Sequence, residues 1–397
     1  MKIHNADAKT IAKRRSCHMH ECLRNVMIVC RWAGFFPVEG LHCAETSQLR
    51  FNLKAYYTLL YVATLLGQLT LTGFAACSLF GNHITLDSVS SCLFFLTSFI
   101  SGVFLMRLAQ YWSKLINKAA DIENRLTDIR LCSNTITKCK ITAYVILILG
   151  LVEHALCLMY NWNLVVSCLD KPLIGDYQVL ENFFVTRMPY VFEHVTYDSW
   201  IGGSFQVVNL QATFLWSFMD VMISCVSIYI ISFFNGLNKI IFSKEEKVSR
   251  KLDFIIGWER IRQNYSCLAE MVKEVDARMS HCVLLCLFTD LFFICLQLFN
   301  TLSFLHILYF FYSFMFVVAR VFVLSLLTAN INTVAQEPIS ALGEIPASVY
   351  DITVSVLQYS LLNYLVLFGL FFSVTRKMIL NVSNNILLLA DVADVKW

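Results

Sequence analysis

Six stretches of this chain stay apolar for the length of a bilayer. Residues 55–80, 88–106, 141–166, 207–235, 281–304 and 306–329 each hold no more than one charged side chain, and about 20 apolar residues carry a helix across a hydrocarbon core of about 30 Å. They predict six membrane-spanning helices. Between them the pattern changes to apolar positions at helical spacing with charges on the other faces. Leu108, Trp112, Leu115, Ile116, Ala119, Ile122 and Leu126 recur this way in 107–140, and Ile255, Trp258, Ile261, Arg262, Tyr265, Leu268, Ala269, Val272 and Val275 in 236–280. The first pattern predicts that the second and third spans continue beyond the bilayer, and the second predicts a projecting helix that packs on protein. The region 349–397 admits two readings. Residues 356–374 form a seventh span with 378–390 outside, or 351–375 is a buried cytoplasmic helix and 378–397 crosses the membrane. The latter needs a protein partner over Leu361, Leu365, Phe368, Phe371 and Phe372, because so apolar a patch is not left in water.

The basic residues orient these spans. Of 31 Lys and Arg, nine fall in 1–54, none in 81–88, seven in 107–140, two in 167–206 and nine in 236–280. Positive charge beside a span is retained on the cytoplasmic side, so alternate connectors, and the N-terminus with them, are expected inside the cell. Both readings of the end then place the C-terminus outside. Residues 81–87 become a short outer turn, and 167–206 a long outer loop containing Pro172, Gly175, Pro189, Gly202 and Gly203.

Composition agrees. A 397-residue chain that is 57% apolar, 14% aromatic and 15% charged, with mean hydropathy +0.62, lies outside the range of soluble domains. The net charge of +3 sits in connectors without the interleaved aromatics of a nucleic-acid surface. The 15 Cys form no CxxC pair and read as small apolar residues of helices. Residues 1–31 are too polar and basic for a signal peptide, so the first span is expected to insert the chain itself. The sequons at Asn264 and Asn381 fall inside or in the membrane and read as chance matches. No phosphate loop, metal-binding His pair or nucleophile elbow is present, so neither catalysis nor a cofactor is expected.

Polar groups inside spans are costly and mark candidate function. The third span carries Glu153 and His154, with Tyr160 one face-repeat beyond Glu153. Trp216 and Asp220 lie four apart near the outer end of the fourth. Asp290 and Gln297 lie seven apart on the fifth, and the sixth opens with His306, Tyr309 and Tyr312. Arg320, inside the sixth, is expected to pair with an acid such as Asp290 or with a helix carbonyl. The plainer reading of each is packing, interface anchoring or a bond to a neighbouring helix.

Several stretches together resemble the insect gustatory receptors, and within them the sugar-receptor branch. They are Trp32-Ala-Gly-Phe-Phe-Pro37-Val38-Glu-Gly40, Trp258-Glu-Arg-Ile-Arg-Gln-Asn-Tyr265 with Phe292 to Leu298, then Ala329-Asn330-Ile331-Asn332, Glu337-Pro338, Ile345-Pro346 and Leu367 to Lys377. The resemblance implies a seven-helix subunit with its N-terminus inside. Four such subunits surround a central pore, held by a cytoplasmic anchor of inner helix ends. It implies an outward-facing sugar pocket among the helices, for which Glu153, His154, Trp216, Asp220, Asp290, Gln297, Tyr309 and Tyr312 are the candidates. It also favours 351–377 as an anchor helix covered by neighbouring subunits and 378–397 as the pore-lining half-helix, with Asn385, Leu388 and Asp391 toward the pore. One departure stands out. The family's pore helix carries a Thr-Tyr pair, apolar residues and then Gln-Phe, whereas Met378 to Trp397 lacks this signature and places Asp391 and Asp394 at apolar positions. Three apart on one helical face, they form acidic rings in a fourfold cation pore, or they mark a variant terminus whose pore helix is impaired.

The expected organisation is therefore a cytoplasmic segment 1–54, a six-helix ligand-binding region 55–350, the anchor helix and the pore helix. The expected function is a sugar-gated, nonselective cation channel subunit of the plasma membrane of taste neurons, working as a homo- or hetero-tetramer in the bilayer. A non-conducting modulatory subunit, a G-protein-coupled receptor and a sugar transporter are the alternatives; the receptor requires an outside N-terminus, and the transporter repeated halves that are not found.

Overall fold

The computed structural model describes residues 17–343 apart from 44, 82–83, 127–128, 130, 132–133, 169–175, 246–250 and 302–306. The anchor and pore segments, with Asn385, Leu388 and Asp391, lie outside the described residues. The described chain is almost wholly helical. A short α1 (His18–Trp32) and a two-stranded hairpin, β1 (Val38–Glu39) with β2 (Arg50–Phe51), precede α2 (Tyr56–Gly81), α3 (Leu86–Arg125) and α4 (Thr135–Cys168). Two outer helices, α5 (Asp176–Arg187) and α6 (Pro189–Phe192), lead into α7 (Ser199–Glu245), α8 (Lys251–Thr301) and α9 (Ile307–Gly343). Among the described residues, α2, α3, α4, α7, α8 and α9 are long and apolar enough to cross a membrane, matching the six stretches in the sequence.

α7 is the axis. Its most apolar window is 78% buried, against 17% for α4, so other helices rather than lipid surround it. At 47 residues it is roughly 70 Å long at 1.5 Å per residue, more than twice the hydrocarbon thickness. The surplus of α3, α7 and α8 extends from the basic end, for α3 as its periodicity predicts, whereas α4, expected to continue likewise, begins at Thr135, close to its predicted span from 141. Leu108, Trp112, Leu115, Ile116, Ala119, Ile122 and Leu126 are all buried there. The segment 236–280 differs in one respect. It holds two helix ends, α7 to Glu245 and α8 from Lys251, and its apolar repeat belongs to α8. Asn264 is buried within that helix, so its sequon is inaccessible in the folded chain.

The N-terminal segment does more than its charge suggests. α1 inserts Met19, Cys22, Leu23, Val26, Met27 and Cys30 into the core formed with α3, α4 and α7. The described cysteines are unpaired, and those of α1 pack as small apolar groups. A helix start leaves backbone N–H groups without intrahelical acceptors. Here Glu123 of α3 supplies the acceptor: His18 N donates to Oε2 at 2.9 Å and Met19 N to Oε1 at 3.2 Å. Tyr229 of α7 donates its hydroxyl to the same Oε1 at 2.6 Å. One carboxylate thus caps α1 and ties three helices. Phe36, in a left-handed backbone conformation (φ 55°), packs edge-on to Trp112 with centroids 5.1 Å apart. At the same end Arg125 pairs with Glu270 at 2.6 Å, and Asn238 of α7 donates to the Val334 carbonyl of α9 at 2.9 Å.

Glu123→Ala removes the cap and leaves the Tyr229 hydroxyl only the weak acceptor Met271 Sδ, at 3.3 Å, and is expected to cost about 2–3 kcal/mol. Tyr229→Phe is expected to cost about 1 kcal/mol. Melting followed by size-exclusion in detergent measures both. Equal melting temperatures for wild type and Glu123→Ala contradict this role.

Candidate functional site

At the end away from the basic extensions the helices diverge around a cavity of about 300 Å³. Its floor is built from three helices. Trp216 and Asp220 sit one turn apart on α7, Asp290 and Phe293 nearly so on α8, and Arg320 faces both from α9. Arg320 donates from Nε to Asp220 Oδ2 at 2.6 Å and also pairs with Asp220 through Nη2. Asp290 Oδ1 lies 3.9 Å from Nη2. The three side chains are 3%, 2% and 0% exposed, so one guanidinium serves two carboxyl groups from which water is excluded. Trp216 is fixed twice. Its indole Nε1 donates to Asp290 Oδ1 at 2.7 Å, and the guanidinium lies 4.5 Å from its ring centroid. Phe293, at 4.9 Å, and Phe94, at 6.3 Å, extend this aromatic surface.

The walls are more polar. Glu153 Oε1 accepts from Ser313 at 2.9 Å and from Tyr309 at 3.3 Å, and Ser313 Oγ accepts from Gln297 Nε2 at 2.7 Å. Tyr160 stacks on Tyr309 with centroids 5.5 Å apart. His154 is buried, with Nδ1 3.3 Å from the Thr213 hydroxyl and Nε2 without a partner among the described residues. Gly150 permits α4 to approach α7 closely here, since a Cβ would lie 2.6 Å from Ser217 Oγ. Arg187, Met188 and Tyr190, from the junction of α5 and α6, also line the cavity.

Of the residues singled out from sequence, Glu153, His154, Trp216, Gln297 and Tyr309 line this cavity. Asp220 and Asp290 do not line it; they lie under its floor, held by Arg320 and Trp216. Tyr312 also stands apart, donating to the Leu149 carbonyl at 3.2 Å. His306 lies outside the described residues. Arg320 does pair with acids as expected, more closely with Asp220 than with Asp290. Arg187, Tyr190, Asn209, Thr213, Phe293 and Ser313 were not anticipated. Hydropathy places Thr213 and Ser313 in spans but assigns them no face, and it gives the loop residues no position at all. Among the described residues no group of three His, Cys, Asp or Glu side chains is placed to hold a metal ion.

The profile of the family described as trehalose receptor matches residues 4–389. The chain is 27% identical over 379 residues to gustatory receptor 5a for trehalose of Drosophila melanogaster, spanning 92% of this chain and 82% of that protein. It is 25% identical over 394 residues to gustatory receptor for sugar taste 64b of the same organism, 94% of each chain. Among solved structures, it is similar to the insect olfactory receptor OR5 from Machilis hrabei. The TM-score is 0.63 with 13% identity, over 87% of this chain and 89% of that one, a likeness of fold alone.

Breaking a buried ion pair by removing one partner costs about 3–5 kcal/mol. Arg320→Met leaves two carboxylates facing each other under the floor and is expected to abolish most monodisperse protein in fluorescence-detected size-exclusion. Asp220→Asn, which keeps an oxygen toward Arg320 and leaves Asp290 as counter-ion, is expected to retain more. Wild-type yield and melting temperature for Arg320→Met contradict the assignment.

Proposed function

The chain belongs to the insect gustatory receptor family, in its trehalose-receptor branch, and from that premise we propose that it is a sugar-gated, nonselective cation channel subunit whose ligand occupies the cavity above Trp216. One observation carries this reading. The cavity sets hydrogen-bonding groups, Glu153, Ser313, Gln297 and His154, against an aromatic surface of Trp216 and Phe293. A saccharide has the complementary form, hydroxyls around its rim and an apolar ring face. A volume of about 300 Å³ suits a ligand of mono- or disaccharide size. The cavity wall is shared by five spanning helices, so occupancy bears on how they pack. The sugar opens the pore to the extent that it binds the open arrangement more tightly than the closed one.

In this reading the basic end faces the cytosol of a taste neuron, and the cavity faces outward. α1 shares the basic end with the extension of α3, as its bonds to Glu123 require. This opposes the outside N-terminus of a G-protein-coupled receptor. Four subunits, identical or mixed, are proposed to enclose one pore, with 351–377 as the anchor helix and 378–397 as the pore helix. The missing pore signature, with Asp391 and Asp394 in its place, favours one other reading, a subunit that conducts only beside a partner.

Expression in cells lacking other taste receptors tests the proposal. Whole-cell current evoked by sugars, persisting when G-protein cycling is blocked, is expected. Glu153→Gln is expected to raise the half-maximal sugar concentration about tenfold or more, the scale of one charge-assisted hydrogen bond. Sugar current that vanishes with G-protein block contradicts the channel. Unchanged sensitivity of Glu153→Gln at equal surface expression contradicts the site.

A further inference from the structure

α5 ends at Arg187, and its last turn delivers a cation into the cavity from the outer side. The position is fixed rather than loose. Pro189 begins α6 directly afterwards, and Met188 between them is buried. Phe184, one turn earlier, lies against Gly202 of α7 so closely that a Cβ there would be 2.8 Å from the ring. On the other side of the junction, Ser78 of α2 donates to Glu193 at 3.2 Å and Phe74 stacks on His194 at 6.2 Å.

Held this way, Arg187 is half-buried at the edge of the cavity, and the inner part of its guanidinium lacks a partner. Its Nε is inaccessible to solvent and has no hydrogen-bond partner, and no described carboxylate lies within ion-pair distance. Arg320 in the floor has both. Glu153 is the acid on the facing wall, and it accepts instead from Ser313 and Tyr309. A buried donor left unsatisfied is costly, so the partner is a group that enters the cavity.

We propose that Arg187 reads the ligand, its planar fork donating to two adjacent hydroxyl oxygens of a neutral saccharide whose ring lies on Trp216. This rests on the cavity being the sugar site. A guanidinium presents parallel N–H donors at a spacing that two neighbouring oxygens match, which an ammonium does not. A neutral polyol fits better than an anion, because the carboxylate of Glu153 on the facing wall repels a second negative charge and accepts from hydroxyl groups. Arg187 is then the specificity residue for one pair of hydroxyls, and it ties the outer cover, α5 and α6, to occupancy of the site.

The test is binding to the purified full-length protein in nanodiscs, read as ligand-induced thermal shift and intrinsic tryptophan fluorescence. Glucose, its 2-, 3-, 4- and 6-deoxy analogues, gluconate and trehalose are the probes, on wild type, Arg187→Lys and Arg187→Gln. At least tenfold weaker binding of the best neutral sugar is expected for both variants. The two deoxy analogues lacking either hydroxyl of one adjacent pair are expected to bind wild type weakly and to lose no more on Arg187→Lys. Unchanged affinity in both variants overturns the proposal, as does an equal loss for every analogue, which marks a structural role. Preference for gluconate over glucose overturns the neutral diol in favour of a carboxylate. A wild type that binds no saccharide overturns the functional reading together with this one.

Discussion

A guanidinium cannot sit in the middle of a membrane protein without an acid beside it. Each such charge adds about 2.5–3.5 kcal/mol to insertion when left bare, and here Arg320, Asp220 and Asp290 come from three different helices. The pairing of one guanidinium with these two carboxyl groups sets the register of α7, α8 and α9, because a slip of one turn by any helix separates the partners. Trp216 inherits its place from that constraint, since its ring lies against the guanidinium and its indole N–H is bound to Asp290. The placing of Trp216 in the floor of the cavity is therefore a consequence of charge pairing.

The two ends of the molecule are built differently. At the basic end the helices continue past the bilayer and pack around the fully buried Trp112 and Tyr229, with α1 wedged between them and capped by Glu123. At the other end the same helices part, and polar side chains line the opening beside aromatic ones. A rigid, cross-tied base with a divided upper half gives a ligand leverage. Under the proposed function, a ligand bound where the helices separate acts on their relative positions, while the register set by Arg320 and the base below it is preserved.

Much of this was legible in the sequence. The six spans and the extension of α3 follow from lengths and spacings that the bilayer and the core impose, and residues 108–126 are buried on the face their period predicts. The acids and aromatics of the spans were visible as isolated costs, yet which were lining and which were structural was not. Asp220 looked like a ligand residue because Arg320, 100 positions away, is brought to it only by tertiary packing, whereas Asp290 was legible both as a partner of Arg320 and as a ligand candidate, and spacing did not decide between the two. α1 was masked by its charge, since its buried face is made of Cys and Met between basic residues. Arg187 and Tyr190 lay in a loop without periodicity, so nothing in the chain placed them over a cavity formed by other helices.

A cryo-EM map of the protein in nanodiscs, at a saturating concentration of a sugar that evokes current, tests the central claim most directly. The account predicts saccharide density in the cavity, with a ring face on Trp216 and Phe293 and hydroxyls toward Glu153. Saccharide density elsewhere on the protein, with this cavity empty, would contradict it.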